Sequence, residues 1–167
     1  APEGSVTSDY LGNTALTAFL VQRQTSRGSA GGQIRRTFLF FKDIDTAVGG
    51  GTITSVKLSI SGSETFGVSN TTQDSIIVSS SAYGGDGSSA LNVLDYSKLS
   101  FSDPYSSALT SWSNTSYNTY ILNADAISDM NSNGYLNCVI INEDNDFQGV
   151  QPIFGHSTGS NATITSA

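Results

Sequence analysis

Nucleophilic catalysis needs a base held beside a serine, threonine or cysteine, with a third group orienting that base. The chain offers one histidine, His156, in Phe154-Gly155-His156-Ser157-Thr158-Gly159, and one cysteine, Cys138, inside the apolar run Tyr135 to Asn142. With 28 serines, some hydroxyl lies near His156 by chance alone, and no Gly-x-Ser-x-Gly elbow stands in a strand-to-helix setting. His156 reads as an exposed loop residue and Cys138 as a buried, inert thiol. Glycoside hydrolysis needs two carboxylates across a sugar-sized gap. There are three glutamates (Glu3, Glu64, Glu143) among 14 acidic residues, and nothing isolates one pair. The expectation is a protein that is not an enzyme.

Two other groupings could bind without reacting. Asn142-Glu143-Asp144-Asn145-Asp146 concentrates oxygen atoms, the ligands that hard cations prefer, so Glu143, Asp144 and Asp146 form a candidate structural Ca²⁺ site beside the plainer reading of a solvated acidic turn. The run is not an EF-hand: Phe147 stands at the sixth position and Ile153 at the twelfth. No other cofactor is expected, since one His and one Cys cannot complete a zinc set. The second grouping is aromatic. Tyr105, Trp112, Tyr117 and Tyr120 stand among Ser, Thr and Asn between Phe101 and Tyr120. Flat rings stack on the apolar face of a pyranose while amides and hydroxyls meet its rim, so these four are the glycan-binding candidates. The alternative is that the rings pin a long loop onto the body of the fold.

Charge narrows the partners. Seven Lys and Arg stand against 14 Asp and Glu, a net of -7, a poor balance for phosphate backbones. Nucleic acid is not an expected partner. All seven bases fall within residues 1–98, and residues 99–167 hold six acids and no base. One reading is drift in a thinly charged surface. The other is a docking polarity, with Arg23, Arg27, Arg35 and Arg36 facing an acidic partner. No stretch approaches the roughly 20 apolar residues of a membrane span, and a lone Cys makes no internal disulfide, which fits assembly in a reducing compartment.

The elements that must carry these residues are strands. Ser, Thr, Asn and Gly make up much of the chain, and 37% is hydrophobic. Short β-branched and aromatic runs alternate with Gly, Ser, Asn and Asp clusters. Candidate strands are 15–21, 34–42, 52–61, 75–80, 118–122, 135–142 and 162–165, with 151–154 weaker. In 52–61, Val56, Leu58 and Ile60 share one face against Lys57, Ser59 and Ser61, so one face is buried and one wet. In 135–142 both faces are mostly apolar, as in a central strand. Asn123 to Met130 reads as a helix, with Asn123 as cap, Asp125 in the first turn and Asn133-Gly134 as stop. A short turn is expected near Ala90 to Asp95. The sum is a single all-β domain over 1–167, a β-sandwich of jelly-roll type with about eight strands and one or two short helices. Residues 1–12 and 157–167 read as extended terminal arms.

Gln33-Ile34-Arg35-Arg36-Thr37-Phe38-Leu39-Phe40-Phe41-Lys42-Asp43-Ile44 and, one Gly-rich turn later, Thr52-Ile53-Thr54-Ser55-Val56-Lys57-Leu58-Ser59-Ile60 resemble the strand pair of DNRLRE or disaggregatase-related jelly-roll modules. In those, an Arg-bearing strand ending in Asp precedes a strand of the type xITSAxLxL. The segment from Asn123 to Asn142 is similar in placement to that family's second half. The resemblance implies a β-sandwich, usually non-catalytic, of cell-surface and polysaccharide-associated proteins that sometimes bind glycans. The aromatic-rich closing strand of that family is replaced here by Asn161-Ala162-Thr163-Ile164-Thr165, and no glycan-contact motif carries over.

These readings converge on a non-enzymatic structural surface protein of an assembled particle, at a virion surface or outside the cell: a phage capsid decoration, cement or spike protein. Its partner would be itself or a capsid shell protein. The alternatives are a carbohydrate-binding or adhesion module, whose partner is a polysaccharide, and an extracellular filament subunit joined by strand addition through the polar terminal segments.

Overall fold

The computed structural model describes residues 20–25, 32–34, 36–66, 74–81, 93–113, 115–150 and 160–164. Among them run nine strands: β1 (Leu20–Thr25), β2 (Gly32–Ile34), β3 (Thr37–Phe41), β4 (Lys57–Phe66), β5 (Ser75–Ser80), β6 (Leu99–Pro104), β7 (Tyr117–Ile121), β8 (Leu136–Asn142) and β9 (Ser160–Ile164). Helix among the described residues is limited to α1 (Ile44–Ala47), α2 (Ala124–Asn133), a 3-10 turn (Val93–Ser97) and a wide π-type turn (Glu143–Phe147). The fold is all-β. One sheet has the order β2-β1-β9-β4-β7 and the other β3-β8-β5-β6, and every strand pairing is antiparallel.

The main core lies between the sheets. Ile60 and Tyr120 of the first sheet meet Leu39, Ile77, Cys138 and Ile140 of the second, with Leu122, Ala126 and Leu136 closing one end. The period-two pattern of 56–61 takes the faces expected of it: Ile60 is buried, Val56 and Leu58 are partly buried, and Lys57 and Ser59 face water. β8 is buried along its whole length because it is an inner strand with apolar packing on both faces. Cys138 and Ile140 enter the main core. Val139 and Ile141 join Ile76 and Val78 in a second cluster, packed by Phe38, Leu99 and Phe147.

α2 starts and stops where its local chemistry dictates. The Asn123 side chain accepts hydrogen bonds from the backbone N–H of Asp125 and Ala126, both at 3.1 Å, satisfying donors that have no partner inside the helix. Gly134 ends it at φ 72, a left-handed conformation that a side chain resists. A Cβ there would also stand 3.2 Å from Asp45 Cγ.

Several expected boundaries move. The run 34–42 is two strands: β2 ends at Ile34 and β3 begins at Thr37, with Arg36 between them turned to an internal ion pair. The strand expected from Thr52 begins at Lys57 and continues to Phe66. Upstream, the backbone N–H and C=O of Ile53 are both bound by the Asn131 side chain of α2, at 2.9 Å each, so that stretch is committed to the helix instead of a ladder. The long loop expected from Phe101 onward contains β6 and opens into β7. β6 is an edge strand with its middle exposed, and it lacks the alternation that marks a half-buried strand. The candidate strand 151–154 and residues 1–12 lie outside the described residues.

Candidate functional site

Arg36 is the clearest departure from expectation. Its Nε and Nη2 donate to Asp146 Oδ2 and Oδ1 at 2.7 and 2.6 Å, and Nη1 donates to the Tyr96 carbonyl. The guanidinium lies over the Tyr96 ring at 3.9 Å and also faces Phe101, which in turn packs on Phe147. The side chains of Arg36 and Asp146 are 9% and 4% exposed. The charge of Arg36 is therefore met inside the protein by Asp146 and is not held out at the surface. Beside it, Asp95, almost wholly buried, is paired with Lys98 at 2.7 Å. Together these groups fasten the 3-10 turn and β6 to the outer side of the β3-β8-β5-β6 sheet. Of the other docking candidates, Arg23 belongs to β1, and Arg27 and Arg35 lie outside the described residues, as does His156.

The same ion pair removes Asp146 from the candidate Ca²⁺ site, since both of its carboxylate oxygens face Arg36. Glu143 accepts from Gln148 Nε2 at 2.7 Å. Asp144 supplies its backbone carbonyl to Val150. Among the described residues no group of three or more His, Cys, Asp or Glu could hold a metal ion. The acidic turn acts instead on Asp74: burial, then Asp144 and Glu143, hold the Asp74 carboxyl above its usual range.

The four aromatic candidates separate cleanly. Tyr120 is 2% exposed, and its hydroxyl meets Ser75 Oγ at 2.6 Å. Burial pushes its phenol up to about 12. Tyr105 is buried too and donates to Asp129. Neither can present a ring face to a sugar. Trp112 packs against the main core, and its buried indole N–H has no acceptor among the described residues. These rings fasten residues 105–113 across the sandwich. Tyr117 alone is open, at 58%.

Tyr117 stands on a flat outer face. The strand register sets Ser61 opposite Tyr117, Ser59 opposite Thr119 and Lys57 opposite Ile121, and Ser59 and Thr119 share a hydrogen bond at 2.9 Å. Ile121 is 69% exposed. An aromatic ring, a row of hydroxyls, one cation and one aliphatic side chain thus form a surface able to make stacking and hydrogen-bond contacts. Reactive chemistry has no foothold at Cys138, which is fully buried, its thiol pushed by burial up to about 12. A thiol in that state supplies no thiolate at neutral pH.

The sequence singled out Asp146 for a metal and Arg36 for docking, but not their mutual pairing. One Arg and six downstream acids give no way to choose a partner. Ser75, Asp129 and Tyr96 were likewise missed, since each acts only through a contact across the fold.

Comparison with protein-family models, with curated proteins and with solved structures returns no match for the chain. No helix among the described residues is long and apolar enough to cross a membrane.

Proposed function

We propose that this chain is a jelly-roll β-sandwich serving as a non-enzymatic structural surface protein of an assembled particle, a capsid decoration, cement or spike protein. The observation that carries the reading is the strand order. In β1-β9-β4-β7 and β3-β8-β5-β6 the first of the described strands neighbours the last, and the chain passes from sheet to sheet in the manner of two nested Greek keys. That arrangement recurs in viral capsid and lectin domains. β2 is then an added edge strand beside β1. The spending of Arg36, Asp146, Tyr105 and Tyr120 on internal fastening, and a thiol held protonated, also favour a rigid brick over a reactor. The partner is a second copy or a shell protein, at a virion surface or outside the cell.

The test is reconstitution. Purified protein mixed with undecorated shells should co-sediment and saturate, whereas a protein that stays in the supernatant with every shell tried contradicts the proposal.

A second reading, a carbohydrate-binding or adhesion module, is favoured by Tyr117 beside the Ser59–Thr119 hydroxyl pair, and by the likeness of residues 33–44 and 52–60 to DNRLRE modules. It predicts saturable binding on a glycan array, and an array without binding retires it.

A further inference from the structure

We infer that residues 110–113 are a releasable latch, closed by Trp112, that opens while both sheets stay folded. β6 and β7 are each the last strand of their sheet, and the chain passes between them along the side of the sandwich. Its near end is tied down: Leu109 exchanges two backbone hydrogen bonds with Ser75, at 2.7 and 3.1 Å. Its far end is held through Ser113 alone, whose Oγ accepts from the Thr115 and Ser116 N–H groups at 3.3 and 3.1 Å and from the Ser116 hydroxyl at 2.7 Å. The Asn118 amide accepts from the Ser113 N–H at 2.7 Å and donates to the Ser113 carbonyl at 2.9 Å.

Between these anchors, Thr110 and Ser111 are exposed, and no backbone hydrogen bond joins Thr110, Ser111 or Trp112 to another described residue. The indole of Trp112 is therefore the closure, set against the main core. Among the described residues its N–H has no acceptor, although a buried indole N–H normally finds one. Opening gives that N–H water, which offsets part of the lost packing and sets this segment apart from β7 and β8, where opening breaks satisfied ladders. Segments with few buried contacts and few backbone bonds open locally, below the free energy of global unfolding. When the latch opens it bares the side of the main core and leaves the Asn118 amide only its bond to the Ile60 carbonyl, at 3.4 Å. This device requires neither a shell nor a glycan, so it can fail while the functional proposal stands, and the reverse.

Trp112 is the one tryptophan of the chain, so its fluorescence reports the latch alone. In wild-type protein under increasing urea, emission should shift and acrylamide quenching rise before far-UV circular dichroism changes. Native-state hydrogen exchange should show the Ser113 amide exchanging at least about tenfold faster than the Leu122 amide. Asn118→Ala should widen the gap between the fluorescence and dichroism midpoints. Coincident wild-type transitions, or a Ser113 amide as protected as that of Leu122, would overturn the inference.

Discussion

Arg36 and Asp146, 110 residues apart in the chain, meet through two parallel hydrogen bonds of 2.7 and 2.6 Å inside the protein. The pair joins the start of β3 to the turn that follows β8. It also turns two residues with apparent binding roles into one structural fastener. A bidentate Arg–carboxylate contact is strong and geometrically specific, yet both charges were taken from water to make it.

Removing one partner should therefore cost more than removing both. Asp146→Ala leaves a buried, uncompensated guanidinium and should destabilise by about 3–5 kcal/mol, while Arg36→Met with Asp146→Leu should recover most of that loss. Urea unfolding of the two single variants and the double variant measures the coupling. Additive losses would show that the two side chains act independently.

Burial of similar residues should separate their effects. Ile77 is fully buried between the sheets, so Ile77→Ala should cost about 2–5 kcal/mol. Ile121 is 69% exposed, and Ile121→Ala should stay within about 0.5 kcal/mol of wild type. Thermal and chemical denaturation read both.

Trp112 and Tyr117 should divide stability from recognition. Trp112→Ala removes a partly buried ring packed against the main core and should cost about 0.5–3 kcal/mol. Tyr117→Ala should leave stability nearly unchanged and abolish any glycan binding observed for the wild type. Glycan binding that survives Tyr117→Ala would remove the outer face of β4 and β7 from the carbohydrate reading.

The fold should weaken in alkali. Burial raises Cys138 from its ordinary 9.0 to about 12 and Tyr120 from 10.0 to about 12. Above each ordinary value the unfolded chain has released a proton that the folded chain keeps. Stability is thus whole below that value and falls as pH rises toward the folded one, by up to about 1.4 kcal/mol per pH unit for each group. Unfolding free energies measured from pH 8 to 11, a window about these values, should decline from about pH 9 in wild type and from about pH 10 in Cys138→Ala. Parallel curves for the two proteins would contradict this assignment.

Elements governed by local chemistry were legible in the sequence. Asn123 and Gly134 bound α2 because capping and left-handed backbone depend on adjacent residues, and β8 announced its inner position through apolar residues on both faces. β6 did not, since an edge strand with an exposed middle has no period to read. Which aromatic candidates face water was hidden for a related reason. Whether Tyr105 or Tyr117 faces water depends on which strand crosses above it, and residue type is the same in both cases. Arg36 looked like surface charge until the 3-10 turn supplied Tyr96 and the turn after β8 supplied Asp146.

The proposed role places this sandwich on a particle lattice. Electron microscopy of undecorated shells incubated with excess purified protein tests it most directly. Added density of this sandwich's size is expected at every equivalent lattice position, with a fixed copy number that excess protein does not raise. Shells indistinguishable from untreated ones, with all the protein left free, would contradict it.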